Sequence, residues 1–169
     1  SDLAVKSQLG ADTLSMSLGS TVNGKASLGF GNGAATVDLS GSTIVKDLSV
    51  AAGDGNDTLT LGLGSYIAGK VSLKSGSGAT RASVTNSTVA GDMSLTCGDQ
   101  ASTCFFTGAV LGGKLSLKTG SGADVVTFYA SGLGGAVKVA SADGDDWLYV
   151  DNTTFNAAVS FDLGRGNDR

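Results

Sequence analysis

Residues 69–90 read GKVSLKSGSGATRASVTNSTVA, and residues 113–134 read GKLSLKTGSGADVVTFYASGLG. Laid over one another, the two stretches share the opening Gly-Lys, an apolar–Ser–apolar triplet, a Gly-Ser-Gly turn and a second alternating run. Working outward from them, the whole chain divides into eight near-copies. They begin at Ser1, Gly24, Lys46, Gly69, Gly91, Gly113, Gly135 and Ala157, so each start follows the last by 22 or 23 residues. A fixed period of this length is the mark of a stacked repeat architecture.

Within each copy the apolar positions alternate. Val71 and Leu73 flank Ser72, and Val126 and Phe128 flank Thr127. A period of two is the strand signature with one face buried, and no segment sustains a helical period. Gly-rich turns such as Gly76-Ser77-Gly78, and Asn86-Ser87 after the next strand, break the runs. Stacking the copies turns the apolar positions into columns. One runs Val5, Leu28, Val50, Leu73, Leu95, Leu117, Val139, Phe161. A second runs Met16, Leu39, Leu61, Val84, Phe106, Phe128, Val150, and a third Ile44, Ile67, Val89, Leu111, Leu133, Phe155. One copy cannot bury its own apolar face, but its neighbours can.

The reading is therefore an all-β parallel β-helix (β-solenoid) of about eight coils. Strands ~4.8 Å apart would make a rod about 40 Å long. A sandwich of antiparallel hairpins would not require a constant repeat with residue-specific columns. The two longer copies carry their extra residue in the second turn, near Gly19 and Gly64. The last copy stops part-way at Arg169, so residues 1–169 are expected to be a single solenoid segment of a longer repeat protein.

Composition agrees. The 169 residues include 27 Gly, no Pro and no His; 41% are hydrophobic and only 15% charged. Gly without a period of three excludes collagen, and the apolar content is too high for a disordered low-complexity chain. A net charge of −4 with no basic patch argues against nucleic acid as a partner. The apolar runs are too short to enter a membrane as a spanning helix.

The first turn of the repeat carries Gly-x-Gly-x-Asp, clearest in Gly53-Asp54-Gly55-Asn56-Asp57-Thr58-Leu59. Gly120-Ser121-Gly122-Ala123-Asp124, Asp143-Gly144-Asp145-Asp146 and Gly164-Arg165-Gly166-Asn167-Asp168 follow it. This resembles the RTX (haemolysin-type) repeats of large bacterial secreted and surface proteins. The resemblance implies Ca²⁺ held between stacked turns by carbonyl and Asp oxygens, and oxygen ligands are what Ca²⁺ prefers. The RTX period is nine, with metal turns on both sides; this chain has one such turn per coil. Its Asp column reads Asp12, Ala35, Asp57, Thr80, Ser102, Asp124, Asp146, Asp168. Only the last three coils offer adjacent carboxylates. The implied metal residues are therefore Gly120, Gly122, Asp124, Asp143, Gly144, Asp146, Gly164, Gly166 and Asp168. The competing structural reading is that Gly supplies positive φ and Asp closes an Asx-turn on its own backbone.

Further features are specific to single coils. Cys97 and Cys104 flank the turn of the fifth coil, where Gln100 and Ser102 replace the second Gly and the Asp. Both should point inward, either as a disulfide suited to an oxidising compartment or as two buried thiols. Sequon-like triplets at Asn56, Asn86 and Asn152 read as turn residues. By alternation Phe105, Tyr129, Trp147 and Tyr149 point outward on neighbouring coils, a candidate contact surface of the kind interfaces and sugar platforms use. Acidic residues sit mostly in turns, so no catalytic residues are assigned and an enzyme is not expected. The expected role is a structural or adhesive repeat segment (spacer, fibre or adhesin stalk) of an extracellular bacterial surface protein. Its partners would be neighbouring coils or subunits end to end, and surface polysaccharide. The alternatives are a calcium-triggered folding and secretion module and a polysaccharide-binding or polysaccharide-cleaving β-helix.

Overall fold

The structure is a computed structural model that describes all of residues 1–169. The alternation of the sequence becomes three parallel sheets running the length of the molecule, one of eight strands and two of seven. One coil is represented by the strands Val71–Lys74, Thr80–Thr85 and Thr88–Val89. The next coil repeats them as Met93–Thr96, Thr103–Thr107 and Val110–Leu111. Every pairing is between equivalent strands of successive coils and is parallel, as in Leu73↔Leu95 and Leu95↔Leu117. There are thus seven full coils and the first strand of an eighth, Val159–Asp162. The sandwich alternative fails because no strand pairs with its sequence neighbour.

Five inward columns form the core, two from each of the first two sheets and one from the third, whose strands have only two residues. The two columns not singled out in the sequence run Ala26, Leu48, Val71, Met93, Leu115, Val137 and Val37, Leu59, Ala82, Cys104, Val126. Together these columns supply a continuous cluster of 30 buried residues. Each fully buried Leu, Ile, Val or Phe contributes roughly 1.5–3 kcal/mol relative to exposure. Towards the later coils the core becomes aromatic: Phe106 and Phe128 stack at 4.9 Å between ring centroids, and Phe155 meets Phe128 edge-on at 5.8 Å. Such pairs add to area burial.

The corners explain the Gly and the variable period. A Cβ on Gly78 would sit 2.2 Å from the Gly55 carbonyl oxygen, and one on Gly122 would sit 2.3 Å from the Ala101 nitrogen. In the first turn of these coils Gly is therefore required by the close approach of stacked backbones. Positive φ, expected there from the sequence, appears in that turn at Gly10 and in the last coils at Gly144, Gly164 and Gly166. The second turn is where left-handed backbone recurs in every coil, at Gly19, Gly41, Gly64, Asn86, Gly108, Ala130 and Asn152. The extra residue of the first and third coils falls here, because Leu14 and Leu59 pair 23 residues on, with Val37 and Ala82, whereas Thr21 and Tyr66 beyond the turn pair 22 residues on, with Thr43 and Thr88. The insertion puts Leu18 and Leu63 outside the corner, 72% and 68% exposed.

Candidate functional site: polar corners and an aromatic face

Where a coil turns, strand pairing lapses and backbone N–H groups need other acceptors. The chain meets this need with side chains from the adjacent coil at all three corners. At the first corner the Asp column points inward. Ser102 N–H donates to Asp124 Oδ1 at 2.7 Å, Asp124 N–H to Asp146 Oδ1 at 2.9 Å, and Asp146 N–H to Asp168 Oδ1 at 3.0 Å. Ala35 N–H uses Asp57 Oδ1 in the same way at 3.0 Å, and Thr80 N–H uses Ser102 Oγ at 3.2 Å. The carboxylate thus reaches across coils rather than closing an Asx-turn within its own coil. Where the next coil offers Ala35 or Thr80, the N–H of Asp12 or Asp57 turns to a backbone carbonyl, that of Ala34 or Ala79.

This placement buries the acids. Asp57, Asp124 and Asp146 are 3%, 1% and 2% exposed. Burial is the largest influence on each and pushes its carboxyl above the usual 3.8, while the capped N–H and a hydroxyl (Ser75, Thr119 and Ser141 respectively) act the other way. The second carboxylate oxygens of Asp12, Asp57, Asp124 and Asp146 are buried and lack a partner of hydrogen-bonding geometry, as do the hydroxyls of Ser75, Thr119 and Ser141.

For a cation at this corner the structure is informative. It brings Asp124, Asp146 and Asp168 into one column, as expected, but leaves Asp143 outside and exposed, its backbone bridged to Arg165. Gly120, Gly122, Gly144, Gly164 and Gly166 form the turns, each packed on the backbone of the preceding coil, and only Gly166 also approaches a carboxylate of the column, that of Asp168. One oxygen of each stacked carboxylate already holds an N–H, and no three acidic or thiol side chains close around one point. The donors left for a cation are Oδ2 of Asp124 and Asp146 with the Thr119 and Ser141 hydroxyls, an all-oxygen set that suits Ca²⁺ by type.

In the fifth coil the same corner holds Cys97 and Cys104. Both point inward and are buried, as the alternation implied, but as free thiols with sulfurs 3.8 Å apart rather than as the disulfide the sequence also suggested. The hydrogen bond shared with Cys97, and then burial, push the Cys104 thiol well above its usual 9.0.

The second corner carries a Ser column. Ser65 Oγ accepts from Gly41 N–H at 3.1 Å and donates to the Gly62 carbonyl at 2.6 Å; Ser131 Oγ accepts from Ala109 N–H at 3.1 Å and donates to the Tyr129 carbonyl. Of the sequon-like triplets, Asn86 and Asn152 occupy the left-handed turn positions, and Asn56 Oδ1 accepts from Ala79 N–H at 3.0 Å.

At the third corner a column went unrecognised in the sequence: Asp2, Lys25, Asp47, Lys70, Asp92, Lys114. Each Asp accepts the N–H of the Lys one coil on, at 2.8, 3.0 and 3.0 Å. Lys25 and Lys70 also pair with the following Asp47 and Asp92 at 3.4 Å. These contacts hold the Asp47 and Asp92 carboxyls below 3.8, the backbone N–H being the largest cause. Reading the residue before the first strand at the repeat spacing would have revealed the alternation of sign.

The outward face of the second sheet carries the aromatic residues. Registers Thr103↔Val125↔Trp147, Phe105↔Thr127↔Tyr149 and Thr107↔Tyr129↔Asp151 set them on one surface. Trp147, Tyr149 and Tyr129 are 55%, 44% and 44% exposed; Phe105 is half-buried. All four expected contact residues therefore share one face. Ser27, Ser49, Ser72, Ser94 and Ser116 form an outward column on the first sheet.

No family model matches the chain, and neither a curated protein nor a solved structure matches it. By its own geometry the chain is a parallel β-solenoid repeat protein, with about 22 residues per coil.

Proposed function

We propose that this solenoid is a structural repeat segment, a spacer, fibre or adhesin stalk, of a bacterial surface protein. The observation that carries the reading is the unbroken parallel register of three sheets through every coil, with side chains at all three corners committed to coil-to-coil contacts. Such a stack resists bending and presents long regular faces while relying on nearest-neighbour contacts alone. Catalysis is no part of this reading. The open ends of a parallel stack carry unpaired N–H and C=O groups, which further coils or subunits would satisfy. Immunogold labelling of the producing cell with an antibody to this segment tests the location: label outside the envelope supports the reading, and label confined to the cytosol contradicts it. Sedimentation of the isolated segment tests end-to-end association, which should strengthen with concentration.

A second reading has its own observation. The unpartnered Oδ2 atoms of Asp124 and Asp146 favour a calcium-stabilised segment, or one whose folding waits for extracellular calcium. Refolding followed by circular dichroism, with 5–10 mM Ca²⁺ or with chelator (concentrations on the order of those needed to saturate weak extracellular sites), separates the two. Refolding only with Ca²⁺ favours this second reading, and equal refolding in chelator removes it.

A further inference from the structure

We infer that the outward face of the second sheet, over coils five to seven, is a binding platform for a neutral polysaccharide. The inference extends the surface-protein reading but does not depend on calcium or on assembly of the ends. The face is a grid of three strands with three outward positions each: Thr103, Phe105, Thr107; Val125, Thr127, Tyr129; Trp147, Tyr149, Asp151. Four rings alternate with hydroxyls and one carboxylate, and only Val125 is aliphatic. A sugar ring has matching chemistry, with a C–H face that packs on an aromatic ring and a rim of hydroxyls that needs donors and acceptors close by. The core of a protein interface is depleted of charged residues, whereas this grid sets Asp151 and three Thr hydroxyls among its rings.

The platform is held in place. The Arg81 guanidinium lies 5.0 Å from the Phe105 ring centre, and the Tyr149 hydroxyl donates to Asp151 Oδ2 at 3.2 Å. Rings fixed before binding lose little freedom on contact. Beside Trp147 opens a polar cleft of about 440 Å³, lined also by Asp145, Asn167 and Arg169. Hydroxyl-directed groups therefore continue past the rings. Charge selects the class of glycan. The grid contains Asp151 and no Lys or Arg; of the cations at its margin, Arg81 lies over Phe105 and Arg169 shares the cleft with Asp145 and Asp146, so the face offers an acidic polysaccharide no excess of positive charge. The same face in the earlier coils carries Thr13, Thr36, Thr58 and Thr60 and no ring, which confines the platform to the later coils.

Trp147 is the single Trp of the chain, so its fluorescence reports on the platform directly. The full chain would be tested for retention on cellulose, chitin, a β-1,3-glucan and mannan, with alginate as the acidic control, and for Trp emission change with soluble fragments of each. The expected result is retention on at least one neutral polysaccharide, with a shift in emission. Trp147→Ala with Tyr149→Ala should weaken it about tenfold or more, as loss of stacked rings does elsewhere. Tyr66→Ala, removing an exposed ring from the third sheet, should leave it unchanged. Tyr149→Phe is a milder variant that keeps the ring and removes its hydroxyl; retention should fall by a smaller factor. Retention on no neutral polysaccharide, retention on alginate alone, or equal loss with Tyr66→Ala would overturn the inference.

Discussion

Replacing Asp124 separates two roles that the corner carboxylate could have. Its Oδ1 accepts the Ser102 N–H at 2.7 Å, while its Oδ2 is buried without a partner and its charge is disfavoured by burial. Asp124→Ala removes the acceptor and leaves the Ser102 N–H buried and unpaired, which costs about 1–3 kcal/mol. Asp124→Asn keeps an acceptor oxygen in the same place and exchanges the unpartnered oxygen for an amide that can donate to the Thr119 hydroxyl. It also removes a charge that burial opposes. In chelator at neutral pH, Asp124→Asn should therefore be as stable as the parent or more so, and Asp124→Ala less stable by about 1–3 kcal/mol. Urea denaturation measures the difference, and amide hydrogen exchange localises it, since Ser102 should lose protection only in the Ala variant. Equal destabilisation by Asn and Ala would refute the reasoning, because the negative charge rather than the hydrogen bond would then be what the corner needs.

Acidification should first stabilise the chain. The folded-state pKa values of Asp57, Asp124 and Asp146 are raised by burial, so their contribution is complete below 3.8 and is lost as pH rises through the higher folded values. Asp47 and Asp92 are lowered, so theirs is present above 3.8 and lost on further acidification. In chelator, Tm should rise from neutral pH towards pH 3.8 and fall below it; a steady fall from neutrality would contradict this. Leu95 is fully buried between Leu73 and Leu117. Leu95→Ala should cost about 2–5 kcal/mol by chemical denaturation, and Leu95→Asp should split or unfold the stack; an unchanged Leu95→Asp midpoint would contradict the inward assignment. Unfolding and refolding in a small-molecule disulfide, which exposes the buried thiols, should close Cys97–Cys104 and stabilise the chain by about 2.5 kcal/mol for so short a loop. Two alkylatable thiols remaining after denaturation of the treated chain would show that the pair does not close.

Much of this was legible in the sequence because a solenoid converts spacing into contact. The column from Val5 to Phe161 could be written down from the period alone, and so could the outward direction of Phe105, Tyr129, Trp147 and Tyr149. The roles of the polar corners were harder to read. Asp124 looks like a turn residue or a ligand in its own coil, because its hydrogen-bond partner, Ser102, is 22 residues away. The glycines of the first turn suggest positive φ, whereas at Gly78 and Gly122 it is the neighbouring coil's backbone that leaves no room for a side chain. The column from Asp2 to Lys114 leaves no trace in the apolar periodicity, because its positions are charged and alternate in sign.

The register of the stack is the central claim, and paired nitroxide labels on the outward Ser column test it most directly. Ser27 would be labelled together with Ser49, Ser72, Ser94, Ser116 or Ser160 in a chain with Cys97 and Cys104 replaced by Ala, and the distances measured by pulsed electron resonance. In this column Ser27 pairs with Ser49, Ser49 with Ser72, Ser72 with Ser94 and Ser94 with Ser116. The spacing should therefore grow by ~4.8 Å for each coil crossed, reaching about 29 Å at Ser160, six coils from Ser27 through Lys138. Distances that rise evenly along the series are the predicted result. Distances that alternate, plateau or return would contradict a parallel solenoid.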